Sequence, residues 1–385
     1  MKIKTEYFRR HYIFIVSVLL SIVVSSINSV LAIQYPEIRF YDKWLFIFAV
    51  LLIFFDYLIN PHKIKTLPNI KYILPLVCYM LFHEAFFLSN ISTYYHGPYV
   101  IQLFLMSLLF VILPKNRNEH IIIIKILWFC LFVLFSYYLY YLLTVDTVIG
   151  FDLKRIHIEE YGASININTL SFLSVVWAVL SLYLKEMLTQ NETNKFSILV
   201  VINFLLAITI CTFHSSRAAL IIGILCFAYY LYALNKNKIV FCFSVLILTF
   251  LSNYFYTIID WSSLHIAERM QFQDEGFRIK QIQLAIEDFM QNPIFGSNGD
   301  VLIDRSGVTQ HTFYINFITL YGILGLLLFI PLFKKMISTG LKRSTPSQNM
   351  AKFFFIGVLL TAPPMYGQII ALIIIASPKY FLIDH

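Results

Sequence analysis

The chain has 385 residues, of which 59% are hydrophobic and 13% charged, with a formal net charge of +8. A soluble domain carries roughly a quarter charged residues, and the apolar residues here come in long uninterrupted blocks, which read as membrane-spanning helices at about 18 residues or more. This excludes a soluble enzyme. It also excludes a nucleic-acid binder, because the basic residues sit in short loops between blocks, where membrane orientation explains them.

The amino terminus carries Lys2, Lys4, Arg9 and Arg10 before the first apolar block. With no small-residue cleavage signature, it reads as a first span rather than a removed signal peptide. Further spans are expected near 44–60, 71–90, 97–114, 120–145, 167–186, 196–213, 217–235, 239–257 and 309–333, after a first at 12–33. The last apolar stretch, 350–378, is broken by Pro363 and Pro364 and forms one kinked span or two short ones, for a total of eleven or twelve. The five cysteines all fall inside apolar blocks with no CxxC spacing, so neither a disulfide framework nor a metal site is expected.

Lys and Arg accumulate in cytoplasmic loops. An amino terminus on the inside places Lys63, Lys65, Lys71, Lys115, Arg117, Lys185, Lys195, Lys236, Lys238, Lys334, Lys335, Lys342, Arg343 and Lys352 on that side too. Residues 146–166, the turn His214–Arg217 and the long loop 258–308 then face outward, and His311 stands at the outer mouth of the span that follows.

Several ionisable residues gather on this outer face. In the third span, His83 and Glu84 lie in the outer half, where a buried charge costs about 2.5–3.5 kcal/mol and so tends to face an interior cavity or a partner. The loop FDLKRIHIEEYGASININT supplies Lys154, Arg155, Glu159 and Glu160. Arg217 opens a span behind Ser215 and Ser216, which could cap the helix and present N–H donors to an anion. In the long loop, Ile279, Ile282, Ile286 and Phe289 recur at helical spacing, with Arg278, Lys280, Gln281, Glu287 and Asp288 on other faces. That pattern predicts an amphipathic helix lying on the membrane surface or on the span bundle. Asn292-Pro293 ends it, Gly296 and Gly299 permit a turn back, and Arg305 follows before His311. Each residue alone has an ordinary reading as a snorkelling side chain, a solvated face or an interfacial histidine. Their convergence on one side favours a site.

Four segments carry a resemblance. They are the Ser-Arg turn SSRAALIIGIL, the arginine helix ending in NPIFGSNG, the histidine-led span HTFYINFITLYGILG, and an outer loop with Arg155 followed by Asn166 and Asn168. In this order the chain resembles the bacterial superfamily of O-antigen ligases and Wzy-type O-antigen polymerases, firmly over residues 200–335 and only in topology elsewhere. The resemblance implies an all-α polytopic membrane protein with a GT-C-like bundle and one long periplasmic or extracellular loop. It implies metal-independent glycosyl transfer from undecaprenyl-diphosphate-linked glycan at the outer face of the cytoplasmic membrane, with no cofactor and with a chain-length regulator as a possible partner. Arg217 and Arg278 would hold the donor diphosphate, with His311 at the reaction centre. Arg155, His83, Glu84, Lys280 and Arg305 would line the substrate. The sequence departs from the family at Thr312, where Asn often follows the histidine, and at Ala228, where an arginine motif of the polymerases ends in Gly. Polymerase is preferred over ligase because the His-Asn start is missing. A lipid-linked sugar flippase is the reading from another class; the absence of an internal repeat between the halves counts against it.

Overall fold

In a computed structural model, residues 70–87, 117–144, 157–158, 163–164, 167–188, 197–213, 216–234, 275–297, 313–338, 345–361 and 366–376 are described. They are α1 (Ile70–Phe87), α2 (Arg117–Thr144), β1 (His157–Ile158), β2 (Ala163–Ser164), α3 (Ile167–Leu188), α4 (Ile198–Phe213), α5 (Arg217–Leu234), α6 (Glu275–Gln291), α7 (Phe313–Ser338), α8 (Pro346–Thr361) and α9 (Tyr366–Ala376). Within α2, α3 and α7, the segments His120–Tyr140, Leu170–Leu188 and Tyr314–Lys335 are long and apolar enough to cross a membrane. The expected spans at 12–33, 44–60, 97–114 and 239–257 lie outside the described residues. The final apolar stretch contains two helices, α8 and α9. The segment between α2 and α3 holds a feature the all-helical expectation did not include, an antiparallel pair with His157 opposite Ser164 and Ile158 opposite Ala163.

Helix α3 is the centre of the bundle, packing against α2, α4, α5, α8 and α9. Small residues make this possible: Ser171, Ser174, Ala178 and Ser181 are all buried, and they let neighbouring backbones approach. Ser181 also serves as a polar clasp. Its Oγ accepts from Trp128 Nε1 of α2 and from Asn203 Nδ2 of α4, both at 2.7 Å, and donates to the Trp177 carbonyl at 3.0 Å. One hydroxyl thereby joins three helices and satisfies two donors that an apolar interior would otherwise penalise.

Helix α8 begins with a capping box in TPSQ. Gln348 N–H donates to Thr345 Oγ1 at 3.4 Å, Thr345 N–H donates to Gln348 Oε1 at 3.3 Å, and Pro346 occupies the first helical position, where no N–H is needed. Glu186, buried at the end of α3, completes the cap from outside. Its Oε1 accepts from Ser347 N–H at 3.1 Å and its Oε2 from Ser347 Oγ. A carboxylate at a helix amino terminus satisfies a free donor and meets the positive end of the helix dipole.

Candidate functional site

A joint of exchanged backbone hydrogen bonds lies where α6 meets α7. Helix α6 ends at Gln291, and Asn292–Ser297 turns across the flank of α7. There α7 is broken: Gly322 has φ 61° and ψ −168°, a conformation open essentially only to glycine. The break interrupts the i→i−4 ladder. Ile323 N–H donates to the Pro293 carbonyl at 2.9 Å and Leu324 N–H to the Ile294 carbonyl at 3.1 Å. The Thr319 carbonyl in turn accepts from Ser297 N–H at 2.8 Å. The turn is therefore spliced into the helix, with backbone groups exchanged in both directions.

Glycine at two positions is a steric requirement of this splice. A Cβ on Gly296 (φ 91°) would fall 2.0 Å from the Leu320 carbonyl oxygen, and one on Gly322 would fall 2.4 Å from that of Ile294. Helix α1 closes the joint from the other side. Tyr79 Oη lies 2.7 Å from the Phe295 carbonyl and 2.8 Å from the Tyr321 carbonyl, and so reaches both strands of the splice. His83, 2% exposed, meets the Tyr321 ring at 5.2 Å and the Tyr79 ring at 6.1 Å between centroids.

Helix α6 docks by a mixed face. Gln281, Leu284, Ala285 and Asp288 are buried, whereas Ile282 and Ile286 are exposed and Phe289 is half-buried. Leu284 and Ala285 pack with Ile315, and Thr319 Oγ1 donates to the Ala285 carbonyl at 3.3 Å.

Among the residues singled out from sequence, Arg278 lies in the first turn of α6, and Lys280, also in α6, is exposed. Arg217 opens α5, where Leu220 N–H donates to the Ser216 carbonyl at 2.9 Å, so Ser216 holds the capping position and is itself buried. His83 and Glu84 belong to α1. Arg155, Arg305 and His311 lie outside the described residues. The helices of Arg278, His83 and Glu84 meet through α7, whereas α5 packs against α3, α4 and α8. Sequence reasoning did not single out Tyr79 or Asn316, and it named Gln281 and Asp288 only as polar faces of the loop helix; all four are buried. Gln281, Leu284, Ala285 and Asp288 do follow the i, i+3, i+4, i+7 spacing of one helix face, a signal the isoleucine stripe outweighed.

No protein-family model matches the chain, and no curated protein matches it.

Proposed function

We propose that the protein is a Wzy-type polymerase. It would join oligosaccharide repeat units carried on undecaprenyl diphosphate at the outer face of the cytoplasmic membrane. The observation that carries this reading is the splice. Two of the four resembling segments, the arginine helix with its NPIFG ending and the histidine-led span with its YGILG sequence, are a single interlocked unit. Contacts along the seam advance together, Ala285 with Thr319 and then Pro293 with Ile323, so α6 and α7 run side by side in the same direction. Arg278 precedes Ala285 by seven residues, and His311 precedes Thr319 by eight in the chain. The interlock of the two segments that carry them supports pairing them in one site.

In the proposed reaction the bond between the anomeric carbon and the diphosphate oxygen breaks, and a bond from that carbon to an acceptor hydroxyl oxygen forms. The lipid diphosphate leaves with the electron pair. Arg278 and Arg217 offset its charge through planar forks that match phosphate oxygens. A neutral His311 takes the hydroxyl proton. Arg155, His83, Glu84, Lys280 and Arg305 are assigned to the saccharide and to the approaches of this site.

The test is a gel of surface polysaccharide from a strain lacking the gene, complemented with wild type, Arg278→Ala or His311→Ala. A ladder restored by wild type alone, over a background of core bearing one repeat unit, is the expected result. Bare core with polymer held on the lipid carrier would identify a ligase instead. An unchanged ladder in the deletion strain would reject both.

A further inference from the structure

The depth of the splice has a consequence for α6 that does not depend on the reaction proposed above. Gly322 lies about 12 Å from Tyr314 and about 20 Å from Lys335, the ends of the apolar segment of α7, at ~1.5 Å per residue. Helix α1 supplies a second measure. Its Tyr79 ring lies against Gly325 and its His83 ring against Tyr321, so α1 runs antiparallel to α7, with Lys71 toward the Lys335 end. Tyr79 lies about 12 Å along α1 from Lys71. A hydrocarbon core is about 30 Å thick. On both counts the Asn292–Ser297 turn lies well inside it rather than among headgroups.

Backbone that is not helical survives at that depth only if its polar groups are satisfied by protein. The carbonyls from Asn292 to Phe295 meet this condition. Asn292 O accepts from Gly296 N–H at 2.8 Å, Pro293 O and Ile294 O accept from the broken helix, and Phe295 O accepts from Tyr79. A turn lying in water would need none of this. The side chains it leaves exposed are apolar: Ile294 at 59% and Phe295 at 40%. They continue an exposed face of α6 on which Ile286 and Met290 stand beside Glu287 and Gln291. The same helix turns Gln281 and Asp288 inward while Ile286 and Met290 stay outward, which costs less beside lipid than in water.

We propose that the carboxyl-terminal half of α6 and the Asn292–Ser297 turn form a re-entrant element, with Ile286, Met290, Ile294 and Phe295 lying against the acyl chains of the bilayer. The element enters from the side that bears Arg278, reaches the middle depth of α7, and carries that helix's missing hydrogen-bond partners with it.

The test uses the full chain without its native cysteines, in vesicles of phosphatidylethanolamine and phosphatidylglycerol. Nitroxide labels are placed by Lys280→Cys, Ile286→Cys, Met290→Cys or Ile294→Cys, and their collision rates with oxygen and with a neutral nickel chelate are compared. Labels at 286, 290 and 294 are expected to favour oxygen, and the label at 280 to favour nickel. Nickel-dominated collisions at 290 and 294 would overturn the proposal, as would exclusion of both reagents, which would mean that protein covers the stripe. Loss of Cys211 and Cys226 from the core could prevent folding. A second measurement therefore places benzoylphenylalanine at Met290 in the chain with all its cysteines. Photo-adducts with phospholipid are expected. Adducts to a second copy of the chain, or no lipid adduct, would overturn the proposal.

Discussion

Replacing Gly322 with alanine puts the splice under direct strain. The new Cβ would sit 2.4 Å from the Ile294 carbonyl oxygen and 2.5 Å from Gly296 N, so the turn and the helix cannot both stay where they are. The least costly escape is for α7 to straighten. Ile323 and Leu324 N–H would then rejoin the helical ladder, but Pro293 O, Ile294 O and Ser297 N–H would each lose a partner. At ~1–3 kcal/mol for each stranded buried group, the loss is about 3–9 kcal/mol. Keeping the break instead retains a left-handed alanine, at ~1–3 kcal/mol, on top of the clash. Either route removes a large share of a typical stability of ~5–15 kcal/mol. The assay is thermal unfolding in detergent followed with a thiol-reactive dye, since buried Cys211 and Cys226 become reactive only as the core opens. Gly223→Ala is the control, because its Cβ meets nothing closer than Val175 Cγ2 at 3.2 Å. If Gly322→Ala melts with the wild type, the splice does not hold these elements together.

Two further variants probe the bundle with the same assay. Ser181→Ala strands Trp128 Nε1 and Asn203 Nδ2 together and is expected to cost about 3 kcal/mol; Ser174→Ala, whose Oγ donates to the carbonyl of Ser171 one turn earlier and otherwise meets only the weak partner Cys211 Sγ at 3.9 Å, serves as the comparison and should cost about 1 kcal/mol. Equal losses would show that Ser181 is no clasp. Glu186→Ala removes both acceptors at the start of α8 and should cost about 2 kcal/mol, whereas Glu186→Gln keeps one acceptor and should cost less than half of that. A glutamine variant as unstable as the alanine one would refute the capping role.

Much of the helical layout was legible because apolar blocks bounded by basic residues carry their own signal. The apolar block at 217–235 contains the helix α5, beginning at Arg217, and the span expected at 167–186 is α3, ending at Leu188. The end of the loop helix at Asn292-Pro293 and the turn at Gly296 were equally visible, the latter with φ 91°. The break in α7 was not legible. Hydropathy scores 309–333 as one uninterrupted run, and what permits the break is a set of carbonyls from a separate segment, invisible to any local window. Tyr79 was overlooked for the same reason: an apolar helix gives no hint that one hydroxyl in it faces two distant carbonyls. Whether α6 would turn its isoleucine stripe to the membrane or to the bundle stays open in the sequence, because such a stripe suits either surface. Of the site, Arg278 and Arg217 stand at helix beginnings as expected, while the region of Arg155, Arg305 and His311 lies beyond the described residues.

The splice recognises main-chain atoms almost exclusively. Pro293, Ile294 and Phe295 contribute carbonyls, Ser297, Ile323 and Leu324 contribute amides, and every residue type except proline has both. The joint is thus written in very few letters: two glycines, a tyrosine, and a residue pair that ends a helix. Side chains around it are free to drift so long as those letters and the spacing between them persist, and a deep structural commitment of the chain leaves only a faint imprint on its composition.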